Sequence, residues 1–340
     1  GVVKLLCLCA ILAVIASVPT LAVAEYKKNK LIENPVVAFE GVINIWNVDT
    51  FEGGSQPKSV YLERVATQFS KENRGVYFIV KNLSIDEMTN NFLNGMYPDI
   101  ISFGFGIGDL VKPILENLDD LNLSLVRSEV LESGKTESGL YAVGYLMGGY
   151  ILASTEEKLK TAGCDTSAPL AELVNSAGYE NKQGHVSSVV VGENKYVNPL
   201  ISYQKVQGGT VLNDYKLTPS MYDAYADFIG TSGEPILLGS HRDLFKMSGK
   251  ISVGKLSGAK IEVLSNFTNL IQYVGVIKGE NVDKVNISKK FVECLVSKEC
   301  QAYTVKVGMV NTVGLGFYEE GEFKKLEEVL NASIKIPNCF

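Results

Sequence analysis

Arginine is scarce in this chain: Arg64, Arg74, Arg127 and Arg242 are the only four in 340 residues. Its planar fork is the preferred clamp for phosphate and carboxylate, so the scarcity weighs against a strongly anionic ligand. Histidine is scarcer still. His185 and His241 lie far apart and no CxxC pair accompanies them, so no metal site is expected. An excess of basic residues is also missing; at a net charge of -6 the chain lacks the footprint that nucleic acid requires, and no nucleic-acid partner is expected. Neither a GxSxG elbow nor an HExxH helix occurs. His241-Arg242-Asp243-Leu244 copies the catalytic string of protein kinases, but Ser248 stands where the metal-binding Asn belongs. Gly104-Phe105-Gly106-Ile107-Gly108-Asp109 resembles a dinucleotide loop whose third glycine position is Asp109. The expectation is a protein that is not an enzyme and takes no cofactor.

Six cysteines suggest a disulfide framework, until Cys7 and Cys9 are assigned to an N-terminal apolar run. Cys164, Cys294, Cys300 and Cys339 remain. Cys294 and Cys300 stand six apart on an expected helix, about 240° around its axis, so they are expected to face different sides. Free buried thiols follow from that reading.

Lys4 precedes an unbroken apolar run from Leu5 to Val18, and Ala22-Val23-Ala24 offers small residues where a signal peptidase reads. Residues 1–24 are therefore expected to be a signal peptide or, if uncleaved, an N-terminal anchor, and residues 25–40 a linker. Either case puts the body outside the cytoplasm. Cys7 and Cys9 lie too early for a lipoprotein box. The length suggests two domains.

From Val42 to Asp109 the chain reads strand, helix, strand, helix, strand. Val42 to Val48 is apolar and ends in Trp46-Asn47-Val48-Asp49-Thr50-Phe51-Glu52-Gly53-Gly54. Leu62, Val65, Ala66 and Phe69 share one face of the helix that follows. Gly75 ends it, and Val76 to Val80 is the second strand. Ser84 and Glu87 form a capping box for a helix that turns Ile85, Met88 and Phe92 inward and stops near Gly95. Pro98 then opens a buried strand that runs out into Phe103 to Gly108. Right-handed crossovers gather such strand ends at one edge of an α/β sheet, where small molecules bind.

Three further stretches fit a known order. Gly139 to Leu152 reads as two strand pieces broken by Gly144, Gly148 and Gly149, followed by a helix from Thr155 to Ala162. Phe291 to Gln301 reads as a late helix, and Gly308-Met309-Val310 as the turn after it. With Ile45-Trp46 and Pro98-Asp99-Ile100-Ile101, this order resembles extracellular solute-binding proteins of ATP-binding-cassette importers, from about Ile43 to about Tyr318. The nearest branch is that of maltose-binding and glycerol-3-phosphate-binding proteins.

The resemblance implies an α/β fold of the type II periplasmic-binding-protein kind. Each of two lobes is a mainly parallel sheet flanked by helices, and hinge segments cross between them. Lobe one would hold residues 41–144 and 270–307, lobe two 145–269 and 308–340, with Tyr141 to Tyr150 as the first crossing. The implied protein is a monomer that captures a small solute, a sugar or oligosaccharide first, and delivers it to a membrane permease. The alternative is a module that presents its ligand to a membrane sensor.

Candidate ligand residues follow the strand ends. Trp46 could cover the apolar face of a sugar while Asp49, beside Thr50 and Phe51, accepts from its hydroxyls. Equally, Trp46 could pack in the core and Asp49 cap a helix. The resemblance places Phe103, Gly104 and Phe105 at a ligand-touching position, and Tyr145 and Met147 where the crossing strand enters the cleft. Arg242 and Asp243 follow the apolar strand Pro235 to Leu238; they could bind a polyol or pair with each other. Residues 166–213 depart from the family pattern and carry no assignment.

Overall fold

The computed structural model describes residues 39–340 apart from 176–188, 210, 213, 231–232 and 333. The expected leader, residues 25–38 of the expected linker, and His185 lie outside the described residues.

β1 (Gly41–Val48) is buried at every residue from Ile45 onward, the pattern of a strand covered on both faces. It pairs in parallel with β2 (Val76–Asn82) and β3 (Ile100–Gly104), Ile43 facing Phe78 and Val48 facing Phe103. The intervening helix Ser59–Glu72 buries Leu62, Val65, Ala66 and Phe69, so the expected face is the face that packs. Ser84 caps helix Ile85–Leu93 through the full reciprocal box with Glu87, which satisfies two orphan helix donors and stabilises by about 1 kcal/mol.

A short hairpin, β4 (Lys135–Thr136) and β5 (Gly139–Leu140), precedes β6 (Val143–Met147). β7 (Tyr150–Thr155) begins three residues later in a different sheet, with β8 (Val189–Gly192), β9 (Lys216–Thr218), β10 (Ile236–Ser240) and β11 (Ala259–Val263). β12 (Ile271–Val276) returns to the first sheet. The sheet orders are β2-β1-β3-β12-β6 and β11-β7-β10-β8-β9. In the first, β12 runs antiparallel to both neighbours; in the second, β7 does. Each lobe is thus four strands in one direction with one reversed. The mainly parallel α/β reading holds.

The first sheet keeps the chain through Met147, past the expected boundary at residue 144, and Gly148-Gly149 alone makes the first crossing. Leu264 to Leu270 makes the second, between β11 and β12. The third starts at Gly308, where Val310 and Met147 exchange backbone bonds of 2.8 and 2.9 Å. Gln301 ties β6, the strand that feeds the first crossing, to the third: its Nε2 donates to the Tyr145 carbonyl at 2.9 Å, and its Oε1 accepts from Thr312 N–H at 2.8 Å.

One expectation is corrected here. Helix Val282–Leu295 stops, and Ser297 caps a new helix, Lys298–Gln301, by accepting from the Cys300 N–H. The change of axis brings the Cys294 and Cys300 sulfurs to 3.4 Å, so they face each other. The 240° argument assumed one continuous helix. Among the described residues no helix is long and apolar enough to cross a membrane.

Candidate functional site

A cavity of about 430 Å³ lies between the lobes, lined by Asp49 to Glu52 and Leu270 on one side and by Glu193, Asn194, Ser220 to Tyr222 and Ser240 to Arg242 on the other. The lining is built from strand ends. Asp49 follows β1, Glu193 follows β8, Ser220 lies just beyond β9, and β10 ends on Ser240.

On the first-lobe side the support is a buried polar network. Asn47 donates from Nδ2 to Asp49 Oδ1 at 3.1 Å and to Asn82 at 2.9 Å. Its Oδ1 accepts from Ser102 at 2.8 Å and from Gln272 at 3.2 Å. Ser102 in turn meets the Tyr145 hydroxyl at 2.8 Å. Beneath Asp49 lies Lys58, fully buried, its ammonium donating to the Phe51 carbonyl, 3.5 Å from Asp49 Oδ1 and 3.5 Å from the Phe51 ring centre. Burial pulls the Lys58 pKa down to about 8, against the opposing pull of Asp49.

The second-lobe side is built on a helix N-terminus. Ser240 and Asp243 form a capping box for helix His241–Ser252. Asp243 is buried and accepts from Arg242 Nη1 at 2.8 Å. Burial pushes its carboxyl up to about 6, even though the Ser240 N–H and Arg242 oppose the shift. Arg242 also pairs with Glu52 and lies 4.9 Å from the Tyr222 ring centre. His241 is buried, and burial, with Lys58 adding to it, drives its pKa down to about 3. The neutral ring meets the Glu52 carbonyl through Nε2 at 3.1 Å, and its Nδ1 rests on Gly148, where a Cβ would stand 2.3 Å away. Only glycine admits that approach.

Direct bonds already span the cleft: Glu52 to Arg242, the Glu52 carbonyl to His241, and Asn194 Nδ2 to the Thr50 carbonyl at 3.1 Å. The lining offers acceptors (Asp49, Glu52, Glu193), donors (Arg242, Asn194) that here serve Glu52 and Thr50, and the rings of Phe51 and Tyr222. Such a set grips hydroxyls and sugar faces. Among the described residues no three His, Cys, Asp or Glu side chains gather as a metal would need.

Of the residues expected from sequence, Asp49, Thr50, Phe51 and Arg242 line the cavity. Trp46 is buried and stacks on Phe92 at 5.9 Å. Phe103 is buried against Tyr273 at 5.8 Å. Tyr145 and Met147 are fully buried, one in the polar network, the other at the end of β6 where it bonds Val310. Gly104 backs Thr50, whose Oγ1 would be 2.1 Å from any Cβ there; Phe105 is half-buried outside the lining. Asp243 lies beneath the wall. Glu193, Asn194 and Ser220 to Tyr222 were missed, though Val189-Val190-Val191-Gly192 is an apolar run with the same strand-end signal.

No protein family and no curated protein sequence matches this chain. Solved structures do. The GacH receptor of Streptomyces glaucescens, studied unliganded and with acarbose, matches at a TM-score of 0.62 with 15% identity over 88% of each chain. Maltose-bound MalE3 of T. maritima matches at 0.63 with 15% identity, over 88% of this chain and 90% of that one. Iron-bound HitA from Pseudomonas aeruginosa matches at 0.54 with 12% identity, over 80% and 86%. At these identities the likeness is one of fold, the two-lobed fold of solute-binding proteins.

Proposed function

We propose that the chain is an extracytoplasmic solute-binding protein that holds a sugar or oligosaccharide between its lobes, unaltered, and delivers it to the permease of an ATP-binding-cassette importer. The observation that carries this reading is the cavity itself, whose lining comes from strand ends of both lobes and whose volume suits a small molecule. Supporting it, structures of the same fold include a maltose complex and an acarbose complex. The lining favours hydroxyls because it alternates carboxylate acceptors with one guanidinium and one amide, and offers two aromatic faces. A thermal-shift screen of the chain against sugars, polyols, amino acids and short peptides tests it. A true ligand at a hundredfold over its dissociation constant adds about 2.7 kcal/mol and raises the melting temperature. If amino acids or peptides shift it and no sugar does, the sugar assignment fails. Recovery of a chemically changed solute, at a rate set by the protein, would replace binding with catalysis.

A further inference from the structure

Cys294 closes one helix and Cys300 lies in the next, and the turn capped by Ser297 sets their sulfurs 3.4 Å apart. Cys294 is half-buried and Cys300 buried, so Cys294 is the thiol a reagent meets first. We propose that Cys294 and Cys300 are a disulfide site of the mature protein, and that the bond fixes the short helix from which Gln301 holds β6 and the third crossing.

The chemistry balances with an external disulfide as oxidant, such as oxidised glutathione or a thiol-disulfide oxidoreductase. Cys294 exchanges with it and releases one thiol. Cys300, as thiolate, then attacks Cys294 Sγ and expels the second, so two protein thiols become one S–S bond and the oxidant becomes two thiols. The geometry serves that second step: with the sulfurs 3.4 Å apart, Cys300 has only a short approach to Cys294 Sγ. Oxidising surroundings follow from the extracytoplasmic reading, on which the proposal rests for its setting.

The structural consequence runs through the next residue. Gln301 is fully buried and bonds the Tyr61 hydroxyl at 3.0 Å, the Leu295 carbonyl at 2.8 Å, the Tyr145 carbonyl and the Thr312 N–H. A bond between Cys294 and Cys300 ties the end of the long helix to the residue beside Gln301. The strand that feeds the first crossing and the start of the third then share one covalently closed base.

The test uses the purified chain in a glutathione redox buffer without solute, so it stands apart from any failure to bind sugar. Intact mass should fall by two hydrogens, and peptide mapping should place the bond between Cys294 and Cys300. The oxidised form should melt about 5 °C above the dithiothreitol-reduced form. Cys294→Ser should abolish both changes. Amide exchange of the peptide containing Thr312 should slow several-fold on oxidation. If both thiols stay open to alkylation, or Cys294 stops as a mixed disulfide with glutathione, the disulfide is wrong. Should the bond form while exchange at Thr312 is unchanged, the pinning of the third crossing is wrong.

Discussion

The two walls of the cleft use the same pair of charges in opposite order. On the first lobe the anion faces the cavity and the cation is beneath it: Asp49 is 35% exposed and Lys58 is 0%. On the second lobe both charges are buried, but Arg242, 5% exposed, lines the cavity and Asp243, 1% exposed, lies behind it. The scaffolds match, four strands one way and one reversed in each sheet, so the inversion comes from the loops. Asp49 on one wall thus accepts where Arg242 on the other donates. A solute with hydroxyls can donate to one and accept from the other, and the empty cleft satisfies the same polarity internally through Glu52 and Arg242.

The largest expected effect comes from removing the hidden member of the second pair. Asp243→Ala leaves Arg242 buried over an uncompensated site and breaks the cap on Ser240. It should cost about 3 kcal/mol of stability in urea unfolding. A loss well under 1 kcal/mol would show that Glu52 alone holds the guanidinium, and the inverted-pair comparison would break.

Acid separates the walls more finely. His241, held neutral with a folded pKa near about 3 against an ordinary 6.5, loses stability as pH falls through that window, because the unfolded chain takes up the proton first. Asp243, raised from 3.8 to about 6, has the opposite sign: the folded carboxyl binds its proton first, so stability is gained as pH falls through about 6. The two oppose each other in the native chain. Asp243→Asn should therefore steepen the loss of unfolding free energy between about pH 6 and pH 4, and His241→Asn should flatten it. Equal slopes in both variants would place the titration elsewhere.

Asp49→Asn tests the exposed member of the first pair. If it accepts solute hydroxyls, affinity should fall by about 1.5 to 3 kcal/mol; stability should fall too, because Lys58 is left buried without its carboxylate. Unchanged affinity in a folded variant removes it from the site. The smallest effect belongs to Glu52→Gln. Glu52 is 64% exposed, so its pair with Arg242 is worth under about 1 kcal/mol, and solute association should speed up by no more than about fivefold. No change in stopped-flow rates would mean that the pair does not bar entry.

What could be read from sequence was local. The helix face of Leu62, Val65, Ala66 and Phe69 and the box of Ser84 with Glu87 depend on spacing alone, and both stand as expected. Alternation did not place Trp46, because both faces of β1 are covered and burial ceases to alternate after Ile45. Lys58 gave no sign of its burial, since what buries it is the fold of the loop between Asp49 and the helix at Ser59. The thiol pair was misread for a related reason. A break of two residues at Val296 and Ser297 changes a direction that periodicity treats as fixed. In the candidate site, the strand-end rule reaches Asp49 and Arg242, whereas around Glu193 turn residues surround a short apolar run and obscure the same signal.

Gly148 has a mechanical consequence. The imidazole of His241 bears directly on its Cα, and a methyl there would come to 2.3 Å of Nδ1, well inside the 3.4 Å at which ordinary contact begins. Residue 148 is therefore the clearance of the joint. With hydrogen as its side chain the second lobe seats fully against the crossing, and His241 reaches the Glu52 carbonyl of the first. Alanine would act as a shim: it would lift the ring and the helix start that carries Arg242, and leave the jaws of the cleft propped apart whatever lay between them.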